Sequence, residues 1–233
     1  VAMITDYGDI TDQSFNQTTY EACKAFCEDN GVQFSYFKPA GDNTADRVAM
    51  IEKAVDEGYN VIVMPGYAFG GAIVEAAPEF PDVKFIALDV AKGDLLEAGV
   101  AKAGESYDYN PDNWDLENVY CAIYQEELCG YMAGYAAVKL GYKSLGFLGG
   151  MAVPAVIRYG YGFVQGVDAA AADLGLSDVT VKYVYGGQFF GDADITAVMD
   201  TWYANGTEVV FACGGGIYTS AVDAAKKANG KVI

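Results

Sequence analysis

Short runs of apolar residues alternate with longer amphipathic stretches along the whole chain. A short apolar run is typical of a buried strand, whereas apolar positions three or four residues apart are typical of a helix packed on one side. In the first half, the apolar runs predict strands over Val1–Tyr7, Val32–Phe37, Val61–Met64, Lys84–Val90 and Val119–Tyr124. The stretches between them predict helices from Thr11 or Asp12 to about Asp29, over Asp42–Glu57 and near Gly71–Ala77.

The second half repeats this alternation. Its predicted helices are Glu126–Leu140, Pro154–Leu174, Ala193–Ala204 and Tyr218–Asn229. Its predicted strands are Ser144–Leu148, Val179–Tyr185, Glu208–Ala212 and Lys231–Ile233. Strands that alternate with helices predict an α/β fold, in which right-handed helical crossovers join parallel strands. Because the predicted strands are many for one open sheet, we expect two α/β lobes, at residues 1–118 and 119–233.

Two segments depart from this rhythm. Lys92–Asn118 is rich in Asp, Glu, Asn and Gly and shows no sustained periodicity. It predicts a long polar excursion, either a solvated insertion, which we favour, or a surface loop beside a cleft. Lys231–Ile233 has the pattern of the beginning of a buried strand, so we expect the second lobe to be incomplete in this chain.

The charge balance narrows the classes of partner. The 14 basic residues against 32 acidic ones give a net charge of −18. Nucleic-acid binding needs a basic footprint, and an anionic membrane surface would repel this chain, so we expect neither partner. The acidity favours a neutral or cationic small molecule, although it also serves solubility.

Residue types that carry much enzyme chemistry are missing. The chain has no His, which excludes Ser-His-Asp and Cys-His arrangements and His metal sites. Its five cysteines form no CxxC motif, so we expect free, buried thiols. Cys213 follows an apolar run but has no His or nearby Lys to activate it. We therefore expect no enzyme and no metal or other cofactor.

Polar residues and glycines follow the predicted strands. In open α/β sheets, ligands bind beyond the carboxyl ends of the strands. This rule selects Asp6, the pair Gly66 and Tyr67, Asp89 and Gly214. The carboxylates of Asp6 and Asp89 are suited to accept hydrogen bonds from hydroxyl or ring N–H groups, and helix capping or turn formation is an equal alternative. For Asp9 and Asp12 we favour helix capping.

Two aromatic residues lie beside these strand ends. Phe15 is in the first turn of a predicted helix, and Phe190 is in a glycine-rich turn of the opposite half. Two such rings can hold a planar ring between them, although each alone is more often a core residue. The glycine clusters lack the Lys-Ser/Thr of a phosphate-binding loop, so they favour tight turns or a close approach to a neutral ligand.

Several of these residues belong to a recognisable pattern. The run Asp6-x-Gly8…Asp12-x-Ser14-Phe15-Asn16 resembles the opening motif of the basic membrane lipoprotein family, also called the purine nucleoside receptor family. A second set of residues resembles the central signature of that family: Asn118-Val119, Tyr131–Tyr135, Gly146–Met151, Pro154, Gly162-Phe163 and Gly166. The resemblance covers nearly the whole chain.

The resemblance implies a fold and a set of ligand contacts. Members are substrate-binding proteins of ABC importers with a type I periplasmic-binding fold, two α/β lobes that hold the ligand between them. The resemblance implies that the ligand site is lined on the side of the first lobe by Asp6, Phe15, Asn16 and Asp89. It also implies that a purine stacks between Phe15 and Phe190. Carboxylates then bind base N–H groups and ribose hydroxyls.

The chain also departs from the family pattern. Phe190 and Asp192 match the family's Gly-Ser-Phe-x-Asp turn, but Gln188-Phe189 replaces the usual neighbours. Past a strand like Lys231–Ile233, the family continues into a Gly-x-Asp segment and a Ser-x-x-Lys segment that supply further ribose contacts, and the sequence here does not include that continuation.

The expectation is therefore an extracytoplasmic solute-binding protein that delivers a nucleoside, in particular a purine nucleoside, to the permease subunits of an ABC importer. We expect a monomer, with a lipid anchor attached through a segment outside this chain. The alternatives are a ligand-sensing module of a regulator or surface sensor and an α/β enzyme acting on nucleosides, with Asp6 or Asp89 as general acid–base.

Overall fold

The computed structural model describes residues 1–103 and 116–233. The chain divides into two compact units, Val1–Ile123 and Tyr124–Ile233. No helix in these described residues is both long enough and apolar enough to cross a membrane. The lobe ranges 1–118 and 119–233 stay predictions.

The first unit is a parallel sheet with helical crossovers. Its strands are β1 (Ala2–Ile4), β2 (Ser35–Phe37), β3 (Val61–Pro65), β4 (Lys84–Leu88) and β5 (Val119–Ala122). Its helices are α1 (Phe15–Asn30), α2 (Thr44–Asp56), α3 (Gly70–Ala76), which follows the short 3-10 helix Tyr67–Phe69, and α4 (Lys92–Ala103). The strand order is β2-β1-β3-β4-β5, and every pair is parallel. Apolar side chains of the strands, among them Ile4, Ile62 and Phe85, are fully buried against the helices.

The second unit repeats the architecture. Its helices are α5 (Glu126–Lys139), α6 (Pro154–Leu174), α7 (Ala193–Ala204) and α8 (Tyr218–Ala228). Its strands are β6 (Ser144–Gly149), β7 (Thr180–Tyr185), β8 (Val209–Cys213) and β9 (Lys231–Val232), in the order β7-β6-β8-β9. All of its pairs are parallel, and Phe147 and Phe163 lie at the centre of its core. The predicted α/β fold with parallel strands is confirmed.

The prediction for Lys92–Asn118 is wrong in its first part. Residues Lys92–Ala103 form α4, and Leu95 and Leu96 are buried in the first unit. The carboxylate of Asp94, in the first turn of this helix, accepts a hydrogen bond of 2.7 Å from Ala91 N–H. The many charged residues hid a short apolar face that is sufficient to pack the helix. Residues 104–115 of the segment lie outside the described residues.

The first strand is shorter than the apolar pattern predicts. Strand β1 ends at Ile4 rather than Tyr7. The Asp6 carboxylate accepts hydrogen bonds from the N–H groups of Tyr7 and Gly8, which turns the chain away from the sheet. A polar turn therefore replaces the end of the predicted strand.

The prediction for the cysteines is confirmed in part. All five are free, and Cys27 and Cys213 are buried. Cys129 of α5 is exposed, against the expectation, and is not among the buried residues of that helix. Burial raises the pKa of Cys23 to about 11, so this thiol stays protonated at neutral pH.

Candidate functional site

The carboxylate of Asp6 occupies the end of β1 in a fixed orientation. Its Oδ1 atom accepts hydrogen bonds from Tyr7 N–H at 2.6 Å, Gly8 N–H at 2.8 Å and Asn16 Nδ2 at 3.0 Å. No hydrogen bond reaches its Oδ2 atom from the part of the chain that the structure describes. The turn foreseen for Asp6 is present, and its role in ligand binding stays a prediction.

The N-terminus of α1 is held against this turn. Asp12 accepts hydrogen bonds from the backbone N–H groups of Ser14 at 2.8 Å and Gln17 at 3.1 Å, so its predicted cap role is confirmed. Asn16 is 5% exposed and donates from Nδ2 to both Asp6 and Asp12, at 3.0 Å each. Phe15 is the first residue of the helix and is half-buried.

The capping prediction for Asp9 is wrong, because its side chain accepts no hydrogen bond from the described N–H groups at the start of α1. The Asp9 carbonyl accepts a hydrogen bond from Asp12 N–H, whereas its side chain forms an exposed ion pair with Lys38 Nζ at 2.8 Å. The Lys38 ammonium group beside this turn is therefore already paired.

Strand β3 ends beside Asp6. Gly66 has a φ of +126°, a conformation that favours glycine, and a Cβ added there would lie 3.6 Å from Asp6 Oδ2. Tyr67 follows and is 36% exposed. Burial, together with the carboxylates of Glu97 and Asp94, raises the pKa of Tyr67, so its hydroxyl is neutral and can both donate and accept hydrogen bonds.

Asp89 directly follows β4, the neighbour of β3. Its φ is +60°, and its N–H donates a hydrogen bond of 2.7 Å to the carbonyl of Ala122. A left-handed conformation in a residue other than glycine is uncommon and is often found at functional sites. This geometry supports the candidate role of Asp89, which stays a prediction.

The second unit gathers three glycine-rich turns at the carboxyl ends of its strands. Gly150 N–H donates to the carbonyl of Cys213, and Gly187 N–H donates to the carbonyl of Gly150, both at 2.8 Å. Phe190 pairs with Gly216 in a parallel bridge, which joins the turns after β7 and β8. The three turns thus form one connected surface.

Phe189 and Phe190 have different surroundings in this surface. The ring of Phe189 lies so close to Gly150 and Gly214 that a Cβ on Gly150 would overlap it and a Cβ on Gly214 would lie 3.0 Å away. Phe190 is 52% exposed. The structure therefore uses Phe189 for packing and presents Phe190 to solvent, where a ligand ring can stack on it. Gly214 has a φ of +147°, which favours glycine there.

Asp192 lies at the start of α7. Its Oδ1 atom accepts a hydrogen bond of 2.7 Å from Ile195 N–H, and its other oxygen contacts Gln188 Nε2. This is a helix cap, which accounts for an Asp two residues after Phe190.

The structure brings the predicted residues into two groups. In the first unit, Asp6, Asn16 and Gly66 lie close together. Phe15 precedes Asn16 on α1, Tyr67 follows Gly66, and Asp89 follows β4. Phe190 and Gly214 lie in adjoining turns of the second unit. Within the described ranges, no three or more His, Cys, Asp or Glu residues are placed to hold a metal ion.

Sequence reasoning missed both arginines of the chain. Arg47 is 3% exposed and lies behind the Asp6 turn, where its Nε donates to the Asp6 carbonyl at 3.2 Å. Arg158 of α6 forms an ion pair with Glu126, a carboxylate buried at the start of α5. Their rarity, two among 14 basic residues, was a usable signal, because arginine is the cation most often found in buried ion pairs.

The fold and these strand ends define a class of protein. Each of the two α/β units has a parallel sheet with polar, aromatic or glycine-rich residues at the carboxyl ends of its strands. Such strand ends are typical of proteins that bind small molecules. A family of "ABC transporter substrate-binding protein PnrA-like" proteins, the Bmp family, matches residues 1–233. The chain belongs to this family. This assignment agrees with the prediction of a binding protein and disfavours the alternative of a nucleoside-processing enzyme.

Individual relatives agree with the family assignment. The chain is 27% identical to the "ABC transporter nucleoside-binding protein BmpA" of Lactococcus lactis over 98% of its own length and 58% of that protein. It is 26% identical to a "CD4+ T-cell-stimulating antigen" of Listeria monocytogenes over 93% of its length and 54% of that protein. The chain therefore spans little more than half the length of these relatives.

A solved structure confirms the fold. A solute-binding protein of an ABC transporter system from Aeropyrum pernix superposes with a TM-score of 0.76 at 20% sequence identity. The match covers 98% of this chain and 58% of that one. The prediction of a type I periplasmic-binding fold is confirmed.

Proposed function

We propose that this chain is the ligand-binding part of an ABC importer and binds a nucleoside, in particular a purine nucleoside. One observation carries the ligand class: Asp6 is oriented by three N–H donors on one oxygen, and its other oxygen receives none from the described residues. A carboxylate held in this way is suited to accept hydrogen bonds from a ribose hydroxyl or a base N–H. The similarity to a nucleoside-binding protein of Lactococcus lactis supports this class.

In the proposed site, aromatic residues bind the base. Phe15 and the exposed Phe190 stack on the base, and Asp89 joins Asp6 as a second acceptor. Gly66, Tyr67 and Gly214 add backbone and hydroxyl contacts beside them. Stacking on an aromatic ring is worth about 1–3 kcal/mol per base, enough to set affinity without a charged contact.

The charge of the candidate residues favours an unphosphorylated ligand. The strand ends carry the carboxylates of Asp6 and Asp89, and the nearby Lys38 is paired with Asp9. A phosphate group would face these carboxylates without a free basic partner among the residues named here. A nucleoside carries no such charge, so its hydroxyl and ring N–H groups match the acceptors.

Calorimetric titration with inosine, guanosine, adenosine, uridine and ribose tests the ligand class. Micromolar or tighter binding of the purine nucleosides, with no binding of ribose alone, is the expected result. Phe190→Ala and Phe15→Ala should each weaken binding by about 1–3 kcal/mol. Phe26→Ala is the matched control, because Phe26 is a 59% exposed ring of α1 far along the helix from Phe15.

The double variant tests whether both rings act on one ligand. If Phe15 and Phe190 stack on the same base, the cost of the double change should differ from the sum of the single costs. Strict additivity, or unchanged affinity in both single variants, would contradict the two-ring arrangement. Tight binding of ribose or uridine and none of purines would contradict the purine preference.

The family assignment supports a proposal for the cellular role. We expect an extracytoplasmic protein that is lipid-anchored in its full form, acts as a monomer and presents its ligand to permease subunits. The test is stimulation of the ATPase activity of the cognate permease complex in liposomes. Stimulation that requires nucleoside and falls with Phe190→Ala supports the role, and stimulation without nucleoside contradicts it.

A further inference from the structure

Arg47 is a buried cation that none of the proposed ligand contacts uses. It lies in the first turn of α2, and its side chain is 4% exposed. Burying a charge is costly unless partners replace the lost water, so its neighbours identify what the charge is for.

Arg47 contacts the segments that carry the candidate ligand contacts of the first unit. Its Nε donates a hydrogen bond of 3.2 Å to the carbonyl of Asp6, a residue 41 positions away. Its Cζ lies 5.8 Å from the ring centroid of Phe69, which ends the short 3-10 helix begun by Tyr67. Its Nη2 pairs with the carboxylate of Asp42, which is half-exposed.

These contacts brace the ends of β1 and β3 with one side chain. The Asp6 carbonyl points to Arg47, while the Asp6 carboxylate is held by Tyr7, Gly8 and Asn16. A planar guanidinium supplies separate donors to Asp6 and Asp42 in fixed directions, whereas the donors of a lysine ammonium group rotate on a flexible stem. The buried Arg47 side chain therefore holds the backbone of Asp6 and is not itself placed among the proposed ligand contacts.

We propose that Arg47 is a positioning residue of the ligand site, which acts on binding through Asp6. The inference rests on the proposed function, because it needs Asp6 to contact the ligand. It predicts that Arg47→Met, which removes the charge and keeps much of the volume, weakens nucleoside binding by about 10-fold, the value of one lost hydrogen bond to a charged group. Arg47→Lys should recover part of the affinity.

The decisive readout is coupling to Asp6. In a chain that already carries Asp6→Asn, Arg47→Met should change affinity by less than about 3-fold, because the residue through which it acts is gone. Arg158→Met is the matched control, since it also breaks an arginine–carboxylate pair with a buried member but in the second unit. Its effect should be the same with and without Asp6→Asn.

A second readout does not need a ligand. Hydrogen exchange of the Tyr7 and Gly8 amides should accelerate in Arg47→Met and less in Arg47→Lys, and should stay unchanged in Arg158→Met. If Arg47→Met does not fold, the lysine variant carries both measurements.

The outcomes separate this inference from the proposed function. If Asp6→Asn and Phe15→Ala leave nucleoside binding unchanged, the proposed site is wrong, whatever Arg47 does to the amides. If those two variants weaken binding but Arg47→Met and Arg47→Lys do not, the site stands and the positioning role is wrong. An equal effect of Arg47→Met with and without Asp6→Asn also overturns it.

Discussion

Asn16 joins two carboxylates that would otherwise repel each other. Its Nδ2 group donates to Asp6 and to Asp12, and its Oδ1 lies 3.4 Å from Asp6 N. An amide is the one side-chain type of this size that offers two donors and an acceptor without charge. The spacing of these contacts leaves no room for a side chain at Gly8, since a Cβ there would lie 2.5 Å from Asn16 Nδ2.

We expect Gly8→Ala to weaken nucleoside binding about 10-fold or more, because the added methyl group displaces Asn16 and with it the Asp6 carboxylate. Calorimetric titration measures the change. Gly70→Ala is the control in the same unit, because its Cβ would meet its nearest neighbour at an ordinary 3.7 Å. Equal affinities of the two variants would show that the Asp6 turn plays no part in binding.

Tyr203 makes stability depend on alkaline pH. It is 6% exposed, its hydroxyl donates a 2.7 Å hydrogen bond to the Lys231 carbonyl, and burial raises its pKa from 10.0 to about 12. Below pH 10 the hydroxyl is neutral in folded and unfolded chains, so its contribution is complete. Above pH 10 the unfolded chain releases the proton first, and stability falls until pH reaches about 12.

We therefore expect Tyr203→Phe to reduce the loss of stability between pH 10 and about 12. The shift corresponds to up to about 3 kcal/mol. Urea unfolding at a series of pH values measures the slope, and Tyr36→Phe, a 40% exposed tyrosine, serves as the control. Parallel slopes for the parent chain and Tyr203→Phe would contradict the assignment.

Helices α5 and α6 pack with their backbones in direct contact. A Cβ at Gly130 would overlap the Tyr159 carbonyl, and one at Gly162 would overlap the Glu127 carbonyl. Both helices run in the same direction, and the buried Glu126 pairs with Arg158 near their N-terminal ends. Glycine is required here by the neighbouring helix rather than by a turn.

We expect Gly130→Ala to destabilise the chain by about 3 kcal/mol, because a backbone carbonyl cannot move aside as a side chain can. Thermal or urea unfolding measures the loss. Alanine is the better helix former, so propensity alone predicts the opposite sign. A stability equal to or above that of the parent chain would mean that the helices separate at little cost.

The net charge of the molecule is concentrated in its first unit. Residues 1–123 hold 22 acidic and 7 basic residues, whereas residues 124–233 hold 10 and 7. Like charges repel and raise the free energy of a compact state, and salt screens this repulsion over about 10 Å at 0.1 M.

We expect added salt to stabilise the first unit more than the second. Raising NaCl from about 20 to 500 mM should slow amide exchange more in residues 1–103 than in 124–233 of the same chain, because the Debye length falls. The second unit thus serves as the control for the first within the same molecule. Equal slowing in both ranges would show that the excess acidic charge does not strain the first unit.

The sequence by itself determined the α/β class, the order of the elements and most of the candidate residues. Apolar periodicity depends on neighbours a few positions away, so it survives without knowledge of the fold. The rule that ligands bind at the carboxyl ends of strands then selected Asp6, Gly66 and Asp89 from their positions alone. Helix α4 was missed because its charged residues outnumber Leu95 and Leu96.

The tertiary structure decided everything that depends on distant partners. It separated the packed Phe189 from the exposed Phe190, identical residue types one position apart, because the surrounding glycine turns come from three different strands. It also placed Arg47 against the Asp6 carbonyl, 41 residues away. Such contacts follow from the order in which strands pair across the sheet, and no local pattern encodes that order.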